Sequence, residues 1–314
     1  MPRVPVAELR LNMRLKRQPF LLRDFVLRPL RNDQQLLLVT LADSSGTIGG
    51  AMHNAPQAVV HSLRDAQGVE VTGYVSEHRD RLQVTLERIE PVELIGLRDF
   101  LPTARRSMEE MSAELDALLA DIEQPDLMHL LGAFFDDPEM RRTFCEAPAA
   151  KRFHHACIGG LLEHTLAIAR IVLTAADLYP EMDRDVAITV ALLHDIGKIR
   201  AYDPVTFDLT EEGILFNHLS VSAMMVSEAI SALPDFDEEL RLRVIHGILA
   251  HHGELDRGSP VRPKTLEAIV VHYADNLDGD ARGAIDHLER SEDGGGTFTE
   301  RSMMHEGELY RGRR

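Results

Sequence analysis

The chain has 314 residues, and its 44% apolar and 27% charged composition is that of a globular protein with about two domains. The N-terminus carries no apolar signal region and no apolar run approaches the roughly 20 residues of a membrane span, so we expect a cytoplasmic protein without membrane contact. Two cysteines, Cys145 and Cys157, are too few for a disulfide framework, and a net charge of −17 argues against bulk coating of nucleic acid.

The charge is unevenly distributed along the chain. Residues 1–31 contain eight arginine or lysine side chains and two carboxylates, which gives this region +6 and leaves −23 for the remainder. A locally basic region can hold a phosphate backbone. A solvated surface has the same composition, and charge alone does not separate the two interpretations.

Residues 11–92 have the pattern of a small β-barrel. Predicted strands lie at 35–41, 47–52, 68–75 and 82–89. Turns are predicted at Asp43–Gly46 and Arg79-Asp80. About five short strands over this length favour a barrel of the OB-fold type. The order of strands, turns and an intervening helix resembles that of OB-fold nucleic-acid binders, which implies a nucleic-acid-binding domain at 1–92.

From Pro102 onward the apolar period is helical. Ser107–Ile122 carries one apolar face, and further helices are predicted at about 125–135, at 138–146 and consecutively over 153–288. A flexible or docking tail begins at Asp293. We therefore expect a multidomain α and β protein with an OB-fold-like barrel at 1–92, a helical connector at 93–147, an all-α domain at 148–290 and a tail at 291–314.

Metal-binding side chains recur at helix ends or on apolar helices in the second half of the chain. His194 and Asp195 end the apolar segment before Gly197, where a buried carboxylate is costly unless a cation or a hydrogen-bond network compensates it. A divalent metal is one such compensation. Five further candidate ligands are His164, His218, His251, His252 and Asp275. A single histidine is more often structural, but this many regularly spaced residues argue against coincidence.

The order of these residues resembles that of the HD superfamily of metal-dependent phosphohydrolases. The resemblance implies that the defining ligands are His164, His194, Asp195 and Asp275. It further implies the additional ligands of binuclear members, which are His218 with His251, His252 or both. Asp195 would then bridge two ions, and mixed imidazole and carboxylate ligands suit Mn²⁺ first, with Co²⁺, Fe²⁺ or Zn²⁺ as alternatives. Two ions would activate water and stabilise an in-line phosphoryl displacement.

Lys198 follows His194 by one helical turn. It would neutralise a phosphate oxygen or assist the leaving group, which makes it a candidate for catalysis, beside Asp195, and for substrate binding. The alternative is a cation that the macrodipole favours at a helix C-terminus. The sequence supports both interpretations equally.

Flanking residues narrow the class of phosphohydrolase. The stretch Pro148–Thr165 is closely similar to the YhaM family of bacterial 3′-5′ exoribonucleases, as are segments at 251–253, 258–263, 267–268, 275–278 and 296–310. The resemblance covers nearly the whole chain. It implies an RNA-processing hydrolase that releases nucleoside 5′-monophosphates from the 3′ end of single-stranded RNA, with single-stranded DNA as a second substrate. The barrel would grip the strand, although it offers only Phe20, Phe25 and Tyr74 for stacking.

Three more residues are candidates for contacts beyond the metals. His154 and His155 precede His164 by about three helical turns, so they reach its metal only if the chain bends between them. Contact with a substrate phosphate, support of a ligand and simple packing are the alternatives, and we take His155 as a substrate-binding candidate. Arg262 is the stronger candidate for a phosphate clamp, because a guanidinium matches phosphate geometry.

Two other functions compete with the exoribonuclease. A phosphohydrolase for nucleotides or cyclic dinucleotides would share the ligand order, but the cyclic-dinucleotide relatives carry Gly-Tyr-Pro where this chain has Gly258-Ser-Pro260. A non-catalytic nucleic-acid-binding protein would not need so many costly polar groups. The apolar faces within 107–146 pack either on the HD domain or on another subunit, so a homo-oligomer is one expectation.

Overall fold

A computed structural model describes residues 3–29, 35–64, 66–79, 81–96, 99–151, 155–291 and 296–312. Several residues with a predicted role lie outside the described residues. They are Arg31 of the basic region, Asp80 of a predicted turn, the candidate His154 and residues 293–295 of the predicted tail. The chain divides into two compact units, Met1–Thr103 (the barrel unit) and Ala104–Arg314 (the helical unit). Each unit has its own hydrophobic core.

The barrel unit is built on a closed barrel. Its described strands are β1 (Arg14–Pro29), β2 (Gln35–Asp43), β3 (Gly46–His53), β4 (Gly68–His78) and β5 (Arg81–Pro91), and α1 (Gln57–Ser62) lies between β3 and β4. The strand order is β1-β2-β3-β5-β4, and β1 closes the barrel by pairing antiparallel with both β2 and β4. This Greek-key barrel of five strands confirms the predicted OB-fold-like architecture.

Alternating side chains fill the barrel. Val69, Val71 and Val75 of β4 are fully buried, as is Val84 of β5. The polar residues between them face outward, which is the alternation that predicted these two strands. Strand β1 is longer than its neighbours because it follows the barrel around, with irregular pairing between Leu15 and Gln18 and again between Leu22 and Asp24. These interruptions break its alternation, and the sequence therefore gave no defined span for this strand.

The helical unit consists mainly of packed helices. They are α2 (Met108–Ala120), α3 (Pro125–Phe135), α4 (Pro138–Glu146), α5 (Gly160–Leu178), α6 (Arg184–Leu193), α7 (Lys198–Ala201), α8 (Glu211–Ser231), α9 (Glu238–Ala250) and α10 (Leu266–Arg290). Met111, Leu130 and Phe144 from the first three helices share one core with Leu161 of α5 and Val190 of α6. The segment predicted as a connector therefore packs its apolar faces within this unit.

Helix α8 is kinked at Asn217, whose φ of 61° is not helical. By length and composition α8 meets the criteria for a membrane-crossing helix, and 44% of its apolar window is buried within the protein. Such composition alone is weak evidence for a span, because core helices share it. Val221, Val226 and Ile230 after the kink lie in the core of the helical unit.

The C-terminal residues form a hairpin that packs on α10. Its strands are β6 (Phe298–Ser302) and β7 (Gly307–Tyr310), which pair antiparallel. The side chain of His287 on α10 donates a hydrogen bond from Nε2 to the carbonyl of Glu300, at 2.9 Å. Residues 296–312 of the predicted tail are therefore docked on the helical unit.

Candidate metal centre

Five helical segments of the helical unit converge on one buried cluster. His164 lies in the second turn of α5, and His194 with Asp195 follows the end of α6. The kink in α8 directly precedes His218. His251 and His252 follow α9, and Asp275 projects from α10. All seven residues that the sequence singled out as ligands are brought together here.

One oxygen of Asp195 faces a first group of ligands. Its Oδ2 lies 3.3 Å from Nε2 of His194 and 3.5 Å from Nε2 of His164. The same nitrogen of His164 is 3.2 Å from Oδ1 of Asp275. The ligand atoms of His164, His194 and Asp195 all lie within 4.8 Å of one another, which is close enough for one metal ion to contact all three.

The other oxygen of Asp195 faces a second group. Its Oδ1 lies 3.3 Å from Nε2 of His218 and 3.6 Å from Nε2 of His251. His218, His251 and His252 offer ligand atoms within 4.8 Å of one another, so both members of the double histidine belong to this group. Asp195 thus stands between two sets of imidazoles and presents one oxygen to each.

Several ligand atoms are buried without a hydrogen-bond partner in the described part of the chain. They are Nε2 of His194, Oδ1 of Asp195, Nε2 of His218 and Nε2 of His251. An unsatisfied buried polar atom costs about 1–3 kcal/mol, and four such atoms in one cluster demand an explanation. A metal ion supplies the missing partners, and the mixed imidazole and carboxylate donors fit a divalent transition metal.

Hydrogen bonds hold Nδ1 of three of the histidine rings. Nδ1 of His194 donates to the carbonyl of Ala191 at 2.8 Å, and Nδ1 of His251 donates to Ile248 at 2.7 Å. His252 donates in the same way to the carbonyl of Arg257, at 2.9 Å. These hydrogen bonds fix the tautomer and leave each Nε2 free to act as a ligand.

The local electrostatics favour the ligand forms of these side chains. Burial would raise the pKa of the Asp195 carboxyl, but the charges of Lys198 and His194 hold it well below its usual range. Burial lowers the pKa of His218 to about 3 and that of His251 well below its usual value. At neutral pH Asp195 is therefore ionised and the imidazoles of His218 and His251 are neutral, which are the states that bind metal.

Lys198 is buried against the cluster and does not act as a solvated cation at a helix end. Its Nζ lies 2.5 Å from Oδ2 of Asp195, and the residue also lines the adjoining cavity. Of the two interpretations of this lysine, the geometry favours a cation directed at the reaction site.

A cavity of about 630 Å³ opens beside the cluster. It is lined by His164, Asp195, Lys198, His252, Arg257, Asp275, Asn276, Gly279, Asp280 and Met304. Sequence reasoning missed Arg257 and Met304. Arg257 lies in the short 3-10 helix Leu255–Arg257, and its Nη1 donates to Oδ1 of Asn276 at 2.6 Å. Its position a few residues after the double histidine was the one sequence feature that could have marked Arg257 as a site residue.

Two predicted substrate contacts lie elsewhere. Arg262 does not line the cavity; it forms an exposed ion pair with Glu254 at 2.8 Å, and that partner draws its guanidinium away from the cluster. His155 is only 5% exposed, and its ring nitrogens face Glu163 at 3.1 Å and Asp278 at 3.0 Å. It therefore supports the ligand shell and does not face the cavity. The bend that brings His155 near His164 includes Gly159, at a φ of 80°.

Asp278 is a site residue to which the sequence analysis gave no separate role. Its Oδ2 accepts a hydrogen bond from Nδ1 of His164 at 2.7 Å as well as the contact from His155. Burial would raise the pKa of its carboxyl, but the two imidazoles outweigh that effect and lower it. A series of contacts from Glu163 through His155 to Asp278 thus holds Nδ1 of His164 and fixes the orientation of its ring.

The chain is similar to a known domain family and to named exoribonucleases. The HD domain family matches residues 161–280, the region that holds all the candidate ligands. The 3′-5′ exoribonuclease YhaM of Bacillus subtilis is 33% identical over 89% of this chain and 88% of its own length. The enzyme of the same name from Shouchella clausii is 30% identical over 87% of this chain and 85% of its own length.

A solved structure is similar to part of the chain. It is the second OB-fold domain of replication protein A from Methanococcus maripaludis, with 19% sequence identity and a TM-score of 0.25. The similarity covers 30% of this chain and 98% of that domain.

Proposed function

Because the chain belongs to the YhaM family of 3′-5′ exoribonucleases, we propose that it is a metal-dependent hydrolase that releases nucleoside 5′-monophosphates from the 3′ end of single-stranded RNA. The observation that carries the proposal is the placement of Asp195. Its two oxygens face two separate groups of imidazoles, and Asp195 lines a cavity large enough for a nucleotide.

The centre would hold two metal ions. His164, His194, Asp275 and Oδ2 of Asp195 would hold one ion, and His218, His251, His252 and Oδ1 of Asp195 would hold the other. Divalent ions bound there would lower the pKa of water and stabilise the charge that develops on a phosphodiester. Mn²⁺ is the proposed native ion, with Co²⁺, Fe²⁺ and Zn²⁺ as alternatives that the same ligands accept.

Two cations of the chain would position the phosphate. Lys198 holds Asp195 in its ionised form and presents its ammonium to the cavity, where it would neutralise a phosphate oxygen. Arg257 takes the clamping role that the sequence analysis gave to Arg262, because its guanidinium lines the cavity and is oriented by Asn276. The barrel unit is proposed to hold the single-stranded RNA through contacts with the phosphate backbone of the RNA.

The test is a degradation assay with a 5′-labelled single-stranded RNA and Mn²⁺. The wild type is expected to give a ladder that shortens stepwise from the 3′ end, whereas Asp195→Ala and the closer-sized Asp195→Asn are expected to leave the RNA intact. Asp177→Asn, which changes an exposed carboxylate at the other end of α5, is the matched control and should behave as the wild type. The proposal would be overturned if the RNA stayed intact while the same preparation hydrolysed nucleotides or cyclic dinucleotides.

The number of ions and the choice of nucleic acid need separate measurements. We expect elemental analysis to find two equivalents of Mn²⁺ in the wild type and one in His218→Ala. A single equivalent in both would rule out the second ion. Degradation of a DNA strand of the same sequence, run beside the RNA, tests the second substrate. A cytoplasmic location and a homo-oligomer stay predictions from the sequence.

A further inference from the structure

The C-terminal hairpin supplies one wall of the active-site cavity. Met304 lies in the turn between β6 and β7, yet it lines the same cavity as His164 and Asp195. Almost 30 residues separate it in sequence from Asp275, the last candidate ligand. The hairpin therefore contributes directly to the site that the HD helices form.

His305 and Met304 hold this turn on α10. The side chain of His305 donates from Nε2 to the carbonyl of Asp280, at 3.1 Å, and its Nδ1 lies 3.0 Å from Oγ of Ser302. The side chain of Met304 lies directly over Gly283, where a Cβ would meet its sulfur at 2.3 Å. The position of Met304 is thus set by α10, the helix that also carries Asp275.

The chemistry of the lining singles out Met304. Among the described residues around the cavity it alone has an apolar side chain, and the others are histidines, carboxylates, cations, an asparagine and a glycine. A nucleotide needs both kinds of surface, since its phosphate is charged and its base is flat and polarisable. A thioether makes favourable contacts with aromatic rings and adapts to rings of different size.

We propose that Met304 contacts the base of the 3′-terminal nucleotide and so sets how well the enzyme holds it, an inference that rests on the proposed exoribonuclease function. With the phosphate at the metal centre beside Lys198 and Arg257, the base of that nucleotide reaches the wall that the hairpin forms. A flexible thioether in place of an aromatic ring holds any base without selecting one.

The first test compares Met304→Ala with Met303→Ala. Met303 is the adjacent residue, is 87% exposed and does not line the cavity, so it is a matched control. Loss of a sulfur–ring contact is expected to raise the KM for single-stranded RNA about two- to tenfold, with kcat nearly unchanged. Met303→Ala should leave KM at the wild-type value. Gly283→Ala, whose Cβ would displace the sulfur of Met304 without changing any residue of the hairpin, should act like Met304→Ala.

An RNA with an abasic 3′-terminal residue separates base contact from general damage. On this substrate the wild type and Met304→Ala should have the same KM, because the group that Met304 contacts is missing. The amount of bound Mn²⁺, which depends on the metal centre and not on a base contact, should be equal in all variants. A KM defect that persists on the abasic RNA, or no defect on normal RNA, would overturn the role of Met304.

A binding measurement keeps this inference distinct from the proposed function. Calorimetry on the Mn²⁺-loaded protein is expected to show tighter binding of adenosine 5′-monophosphate than of ribose 5-phosphate, and Met304→Ala should abolish the difference. If RNA stays intact but this preference depends on Met304, the exoribonuclease proposal fails and the base contact stands. If RNA is degraded and the preference survives Met304→Ala, the base contact is refuted alone.

Discussion

Asp278 shows how a residue outside the ligand set can control metal binding. It accepts a hydrogen bond from His164 and one from His155, and His155 in turn lies against Glu163. A carboxylate behind an imidazole fixes the ring and raises its basicity, and loss of such a partner typically lowers metal affinity about 10- to 100-fold.

Asp278→Asn is therefore expected to raise the dissociation constant for Mn²⁺ by about 10- to 100-fold, because an amide supports His164 less strongly than a carboxylate. Titration of Mn²⁺ followed by electron paramagnetic resonance measures the effect on the metal-free protein. Asp177→Asn provides the control for loss of one negative charge from the same unit. Unchanged affinity in Asp278→Asn would show that the orientation of His164 does not depend on this contact.

The rate at which Cys157 is alkylated should depend strongly on pH. Burial raises the pKa of its thiol to about 12, and only the thiolate reacts with alkylating agents. Relative to an ordinary thiol of pKa 9.0, Cys157 should react with iodoacetamide about a thousandfold more slowly at pH 8. Since the pKa is raised, the rate should increase about tenfold per pH unit until the pH nears that value.

Mass spectrometry of timed samples measures the modification of Cys157. The same chain unfolded in guanidinium chloride is the control, and there Cys157 should react as a free thiol. The Cys157→Ser variant isolates Cys145, whose thiol pKa is also raised by burial. Equal rates for the native and unfolded chain would contradict the prediction.

The cluster of candidate ligands was predictable from the sequence, whereas the residues around it were not. His194 and Asp195 stand out because charged or metal-binding side chains at the end of an apolar helix are costly without a partner. Asp278 and Met304 carry no such signal, since one is an ordinary polar residue of a helix and the other belongs to a polar tail. Arg257 and Arg262 both follow the double histidine, and only the path of the loop decides which one reaches the cavity.

At the scale of elements, Gly253 ends the segment that presents the double histidine. Its φ of 76° lies in the left-handed region, and a Cβ there would lie 2.0 Å from the ring of His272. Nδ1 of that ring is bonded to the carbonyl of His251 at 2.8 Å, so α9 and α10 meet at this glycine. A side chain would push the two helices apart beside the candidate ligands.

We expect Gly253→Ala to lower the free energy of unfolding by about 2–4 kcal/mol, because the left-handed backbone and the steric overlap both add cost. Urea denaturation of the full-length protein, followed at the unfolding transition of the helical unit, measures the loss. Gly132→Ala is the matched control within the same unit, since a Cβ there meets only the flexible carboxylate of Asp136 and alanine favours a helix. A loss of the same size in Gly132→Ala would remove the argument for strain at Gly253.

Regular periodicity determined which elements could be predicted. The alternating β4 and β5 and the amphipathic α2 have clear patterns, and the structure contains them at the expected places. The pattern fails where the backbone is irregular. Strand β1 shifts register twice, and the six residues of α8 before Asn217 include the exposed Ile214 and Leu215. Neither feature follows from hydrophobic periodicity, because long-range packing decides both.

At the scale of the whole molecule, the two units keep separate cores. Phe20, which the sequence analysis took as a stacking residue, is fully buried with Leu37 and Val69 in the core of the barrel unit, so it offers no surface to a base. Leu161, Val190 and Val244 belong to the core of the helical unit. All the candidate ligands lie in the helical unit, within residues 164–275. A ligand that binds only the native state of one unit stabilises that unit by mass action.

Removal of metal should therefore act on one unit alone. Addition of Mn²⁺ at 100 times its dissociation constant is expected to stabilise the helical unit by about 2.7 kcal/mol per site, whereas the barrel unit gains nothing. Differential scanning calorimetry with EDTA and then with Mn²⁺ should show one transition that shifts upward and one that stays fixed. In Asp195→Asn the upward shift should shrink, because both groups of ligands lose the carboxylate they share. A barrel transition that moves with Mn²⁺ to the same extent would mean that the two units unfold together, and the separation of their cores would then not extend to their stability.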